Sequence, residues 1–160
     1  MKLYFLRHAT ASDIAASDGA RELTSEGREE ARVAGKALVK LGAKPARIFS
    51  SPLLRARQTA EIVAKDLESQ VETLDELTND SPTSRLLKAV KTAGEEKEIV
   101  LVGHMPSLAG HVAHLIGAGS GEGLAFGKGS IALVESEELK AGCGELRWLM
   151  RQKQLREMIS

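Results

Sequence analysis

A chain of 160 residues, 42% hydrophobic and 28% charged, is long enough for one domain with a real core and offers no case for two. Its 22 Lys and Arg are balanced by 22 Asp and Glu, which excludes a general basic field for nucleic acid or an anionic membrane and makes any anion site a local one. A lone cysteine, Cys143, excludes an internal disulfide framework, and no stretch approaches a membrane-spanning length, so a cytoplasmic protein is expected.

Met1 runs straight into "KLYFL" (2–6), with no long apolar leader and no cleavage site, and this run reads as the first strand. It ends in Arg7 and His8. Two adjacent cationic groups at the tip of a buried strand suggest an anion there. After "LTSEG", Ala31, Ala34, Leu38 and Leu41 fall on one helical face, and Gly42 supplies a stop. "ARIFS" (46–50) is a second strand. Ser51 as N-cap and Pro52 as first helical residue then open a helix with an apolar stripe of Leu53, Ala56, Ala60, Val63, Ala64 and Leu67. The start of such a helix attracts phosphate, and an arginine one turn in could add a bidentate fork. On the helical wheel Arg55 points away from the stripe and Arg57 sits near its edge, so periodicity does not choose between them.

A shorter helix is expected over 83–93, closed by Gly94. "EIVLVG" (98–103) is a third strand, followed by His104 and by a helix that starts at Pro106 and buries Leu108, Val112, Leu115 and Ile116 before Gly117. His111 and His114 lie three apart on it with no third ligand and no H-E-x-x-H pattern, so they read as surface or flanking residues and no metal is expected. "GSGEGLAFGKGS" (119–130) lacks the strand-before, helix-after context of a phosphate loop and reads as a mobile connection. "SIALVE" (130–135) and "ELRWLM" (145–150) read as strands, and "RQKQLREMI" as a terminal helix or tail. Cys143, in a Gly-flanked turn with no basic neighbour, has nothing to activate its thiol, and there is no G-x-S-x-G elbow.

Alternation of continuously apolar strands with helices implies right-handed crossovers in a layered α/β domain, whose ligands sit at the carboxyl ends of the strands. Three strand ends then deliver Arg7 and His8, "SSPLLR", and "GHMP" to one edge of the sheet. A neutral imidazole beside permanent cations is a competent nucleophile towards phosphorus.

"LRHA", "SPLLRARQTA" and "VGHMP", in this order and in these strand-end contexts, resemble the histidine phosphatase superfamily with its phosphoglycerate-mutase-like fold. The short stretch between about 68 and 98 and "AASDGARELTSEG" (15–27) are similar to the SixA-type phosphohistidine phosphatase group. The resemblance covers nearly the whole chain. It implies a three-layer α/β/α sandwich with a mostly parallel central sheet, formed by a single domain over 1–160. It also makes His8 the nucleophile that becomes phosphohistidine, with Arg7, Arg55 and His104 forming the phosphate pocket, and so selects Arg55 over Arg57. Arg21 would be a further cation at the mouth. Alignment and charge neutralisation suffice for phosphoryl transfer, so neither metal nor cofactor is implied.

Two positions depart from the family pattern. Ala9 replaces the usual Gly after the Arg–His pair, so that residue is expected to avoid a Gly-only backbone conformation. The general acid of larger members comes from an inserted segment; here Glu76, with Asp75 and Asp80 beside it, is the candidate. The expected substrate is a phosphohistidine on a signalling protein such as a phosphotransfer domain, with inorganic phosphate as product and the enzyme a monomer. A small phosphomonoester is the alternative. A non-enzymatic phosphate-binding module is disfavoured by the intact Arg7, His8, Arg55 and His104, and mutase activity by the little chain available to retain a bisphosphate.

Overall fold

The computed structural model describes residues 1–160. Six strands, β1 (Lys2–Arg7), β2 (Arg47–Ser50), β3 (Gln70–Thr73), β4 (Glu98–Gly103), β5 (Ile131–Ser136) and β6 (Gly144–Met150), form one sheet in the order β3-β2-β4-β1-β5-β6. β3, β2, β4 and β1 run parallel, whereas β5 is antiparallel to β1 and β6 antiparallel to β5. Five helices cover it: α1 (Ser25–Lys40), α2 (Leu54–Leu67), α3 (Thr83–Ala93), α4 (Ser107–Ile116) and α5 (Gln152–Ile159). The architecture is the expected three-layer sandwich around a mixed, mostly parallel sheet.

The strands are continuously apolar because both faces are covered. Leu3, Phe5, Ile99 and Leu101 join Leu86, Leu87 and Val90 of α3 and Leu108, Val112 and Leu115 of α4 in one core. The alternate residues Tyr4, Leu6, Val100 and Val102 pack on the other face against Val33, Ala34 and Leu38 of α1, Ala56, Ala60 and Val63 of α2, and Leu155 of α5.

Several details differ from the sequence reading. α2 begins at Leu54, two residues after Pro52, and Ser51 does not cap it; the residue preceding the helix is Leu53, which has no capping side chain. β3 is a strand that periodicity missed. Its four residues carry a single apolar side chain, Val71, and it is held at the sheet edge by backbone pairing to β2, by Val71 against the core and by the Glu72–Arg47 ion pair. His111 is buried rather than superficial, its Nδ1 2.7 Å from Thr83 Oγ1, because α4 turns that face onto the start of α3. The 119–130 connection is anchored by Phe126, which enters the core. Of the two readings for the terminal segment, helix or tail, residues 152–159 take the helix.

The start of α1 is pressed against the chain that follows His8. Thr24 caps the helix by accepting from Gly27 N–H at 3.0 Å, while Thr24 N–H donates to Thr10 O at 3.0 Å. A Cβ at Gly27 would stand 1.9 Å from the same Thr10 carbonyl, so only glycine permits this approach. Gly27→Ala is therefore expected to push α1 off residues 9–11 and lower stability by about 1–3 kcal/mol. Urea unfolding checks this as a lower midpoint at an unchanged m value.

Candidate active site

Register brings the carboxyl ends of the central strands level. Arg7 pairs with Gly103, and Ser50 with Val102, so His8, Ser51 and His104 leave the sheet side by side. The backbone at this rim is closely tied. Arg7 N–H donates to Ser130 O, His8 N–H to Gly103 O and Ser51 N–H to Val102 O, each at 3.0 Å. Ala9 N–H donates to Thr59 Oγ1 at 3.1 Å, and the Thr59 hydroxyl donates back to Arg55 O at 2.7 Å, which locks the strand exit to the first turns of α2. Ala9 does not take a left-handed backbone conformation, as its side chain requires.

His8 is 6% exposed. Its Nδ1 lies 2.8 Å from Ala9 O. A carbonyl oxygen can only accept, so the proton sits on Nδ1, and Nε2 carries the free lone pair. Burial, offset partly by that hydrogen bond and reinforced by His104, Arg55 and Arg7, pushes the imidazole down to about 3. The ring is therefore neutral and nucleophilic at physiological pH.

His104 faces His8 with ring centroids 5.0 Å apart and planes inclined at 53°. Its Nε2 lies 2.8 Å from Ser51 Oγ. Ser51 Oγ accepts from Leu53 N–H at 3.2 Å and has no acceptor for its own hydrogen other than Nε2, so it donates there and the His104 proton sits on Nδ1. Burial, together with the Arg55 charge, pushes His104 down to about 4. The two arginines are fixed by carbonyls: Arg7 Nη1 donates to Phe126 O at 2.8 Å and Arg55 Nη1 to Asp18 O at 2.9 Å. Arg55 is buried, contrary to its place on the wheel, because its side chain turns from the first turn of α2 towards the strand ends. Arg57 is half-exposed and pairs with Glu61.

Three buried nitrogens on these residues, Arg7 Nε, Arg55 Nε and His104 Nδ1, have no hydrogen-bond partner. All three are donors, on the residues whose proximity to His8 lowers its proton affinity. Such a set fits a tetrahedral oxyanion presented to His8.

The remaining candidates lie outside this group. Arg21 donates Nε to Ser12 O at 2.8 Å and pairs with Asp13 and Asp18 at 3.3 Å each; it reaches Arg55 only through Asp18. Glu76 is half-buried in a turn at Asp75–Leu77 and lines a cleft of about 300 Å³ with Asp75, Asn79 and Arg85. None of Arg7, His8, Arg55 or His104 lines that cleft, and no hydrogen bond or ion pair joins Glu76 to them. The sequence reading missed Asp18, Thr59, the Phe126 carbonyl and the bond between Ser51 and His104. Asp18 had one available signal, its place three residues before Arg21.

A family model for the histidine phosphatase superfamily (branch 1) matches residues 3–80. The phosphohistidine phosphatase SixA of Escherichia coli is 32% identical over 155 residues, covering 94% of this chain and 93% of that protein. An uncharacterised protein of Picosynechococcus is 39% identical over 113 residues, 68% of each chain. A solved structure of the protein histidine phosphatase SixA complexed with tungstate superposes with a TM-score of 0.84 at 30% identity, covering 97% of this chain and 99% of that one.

Buried neutral histidines make stability depend on pH. His8, His104 and His111 have folded values of about 3, 4 and 4 against an ordinary 6.5, so the unfolded chain takes up protons first on acidification. Their contribution is complete above about pH 6.5 and is lost as pH falls towards 4. The expected outcome is a urea midpoint that declines steadily across that window, with proton uptake on unfolding at pH 5 measured by calorimetry in two buffers.

Proposed function

The chain belongs to the histidine phosphatase superfamily, and we propose that it is a hydrolase that removes the phosphoryl group from phosphohistidine on a protein, through a covalent intermediate on His8. The observation that carries this reading is the free Nε2 of His8 together with unpartnered donors on its neighbours Arg7, Arg55 and His104. The likeness to SixA, at 32% identity over 94% of this chain, supports the substrate class.

In the first step His8 Nε2 attacks phosphorus, the bond from phosphorus to the leaving nitrogen breaks, and Arg7, Arg55 and His104 stabilise the charge on the transferring oxygens. The positive charge that develops on His8 is met by the Ala9 carbonyl at Nδ1. A substrate imidazole protonated at its distal nitrogen departs as a neutral ring, so its release requires no proton from a side chain. In the second step water attacks the phosphorus of phospho-His8, the P–Nε2 bond breaks with its electrons returning to Nε2, and the water proton leaves with inorganic phosphate or to solvent. Glu76 as general acid would serve an alkoxide leaving group, which does need a proton, far more than an imidazole.

The short connection between β3 and β4 also favours a protein-borne phosphoryl group. Between β3 and β4 the chain provides one short turn and α3, and α3 spends Leu86, Leu87 and Val90 on the core rather than on a lid.

Incubation with a labelled phosphohistidine protein is expected to trap a phosphoenzyme that is labile in mild acid and stable in base. His8→Ala should abolish it and lower kcat/KM by about a thousandfold or more, and a chelator should leave the wild-type rate unchanged. Full turnover by His8→Ala, or a phosphomonoester panel hydrolysed faster than phosphohistidine, would overturn the mechanism or the substrate class respectively.

A further inference from the structure

Asp18 supplies the one carboxylate bound to a guanidinium of the site: Arg55 Nη2 lies 3.3 Å from Asp18 Oδ2, and Arg7 has no acidic partner. The residue does two separable things to Arg55. Its main-chain oxygen accepts from Nη1 at 2.9 Å, which fixes where the guanidinium lies. Its carboxylate adds a negative charge beside a buried cation. The Arg55 side chain is 8% exposed and that of Asp18 69%, so a charge that solvent cannot reach is balanced by one that solvent can.

We infer that Asp18 is a specificity-determining residue, its carboxylate cancelling part of the Arg55 charge so that the pocket holds a free phosphate dianion loosely and favours a phosphoryl group carried on imidazole over one whose remainder is anionic. The substrate half of this inference rests on the phosphohistidine reading above; the phosphate half does not.

Three features support it. The carboxylate contact at 3.3 Å is long for a charge-assisted bond, so an incoming oxyanion can compete for Nη2. Arg21 Nη1 holds the other oxygen, Asp18 Oδ1, also at 3.3 Å, and the turn at Asp18–Ala20 keeps the group at the mouth as anions approach. The hydrogen bond from Arg21, then the charge of Arg55, hold the carboxyl below its ordinary range, so it stays ionised and does not serve as a proton donor. A fixed negative charge at the rim of a cationic pocket repels a second anionic group on the substrate and attracts a phosphoimidazole protonated at its distal nitrogen. It also opposes retention of the product, since inorganic phosphate meets the same carboxylate.

Asp18→Asn tests the inference, because it removes the charge and keeps both the side-chain shape and the main-chain oxygen on Arg55. With thermal midpoint unchanged, the competitive Ki of inorganic phosphate is expected to fall by roughly two- to fivefold, the scale of one partly exposed charge. The kcat/KM ratio of a phosphohistidine protein to a phosphomonoester that also carries a carboxylate should fall by a similar factor, both effects shrinking at high salt. A merely structural role would weaken phosphate binding, so an unchanged or higher Ki would overturn the proposal. Asp18→Ala, which also keeps the main-chain oxygen, gives the same readings if the Asn variant misfolds. If the wild type fails to hydrolyse phosphohistidine, the substrate reading falls while the phosphate Ki still decides the role of Asp18.

Discussion

The hydrogen bond from His8 Nδ1 to the Ala9 carbonyl is the constraint on which the site depends. A buried histidine among cations loses its second proton whatever the tautomer, so burial alone would leave a neutral ring of indeterminate direction. The carbonyl resolves this by claiming the proton at Nδ1. The lone pair is then turned to Nε2, and the ring stays fixed when charge develops on it. The main chain of the residue after His8 therefore orients the ring as a carboxylate does in other proteins.

Everything around that bond serves to hold the Ala9 backbone in place. Ala9 N–H is anchored to Thr59, Thr10 N–H to Glu30 Oε1 at 2.8 Å, and the Thr10 carbonyl fits against the start of α1 where only a glycine admits it. Arg7 is oriented by Phe126 O and Arg55 by Asp18 O, so each guanidinium keeps Nε unpartnered. A pocket assembled from carbonyl-fixed arginines has its donors aimed before any anion enters, and the reorganisation that would otherwise accompany binding is small.

Much of this was legible in the sequence, for identifiable reasons. Arg7, His8 and His104 were readable because continuously apolar strands mark their own ends, and parallel α/β sheets present ligands there. Arg55 was not readable from periodicity, since a wheel records where a Cα points and not where a long side chain bends; only the motif resemblance selected it. Thr59 and Phe126 escaped notice because one acts through a hydroxyl and the other through a main-chain oxygen, groups that leave no pattern in a sequence, whereas Asp18 left only its spacing from Arg21. β3 escaped because an edge strand held by backbone bonds on one side needs no apolar periodicity. His111 was misplaced because two histidines three apart on a helix look alike, although one faces α3 and is buried.

β1 leads directly into His8, yet it lies inside the sheet, flanked by β4 and β5. Lys2 pairs with Glu98 on one side and with Glu135 on the other, so the first strand finds its neighbours only after most of the chain is present. Such distant pairings make for slow, late assembly. Without those pairings His8 lacks the burial that lowers its proton affinity. The low proton affinity of His8 therefore rests on strand pairings that are distant in sequence.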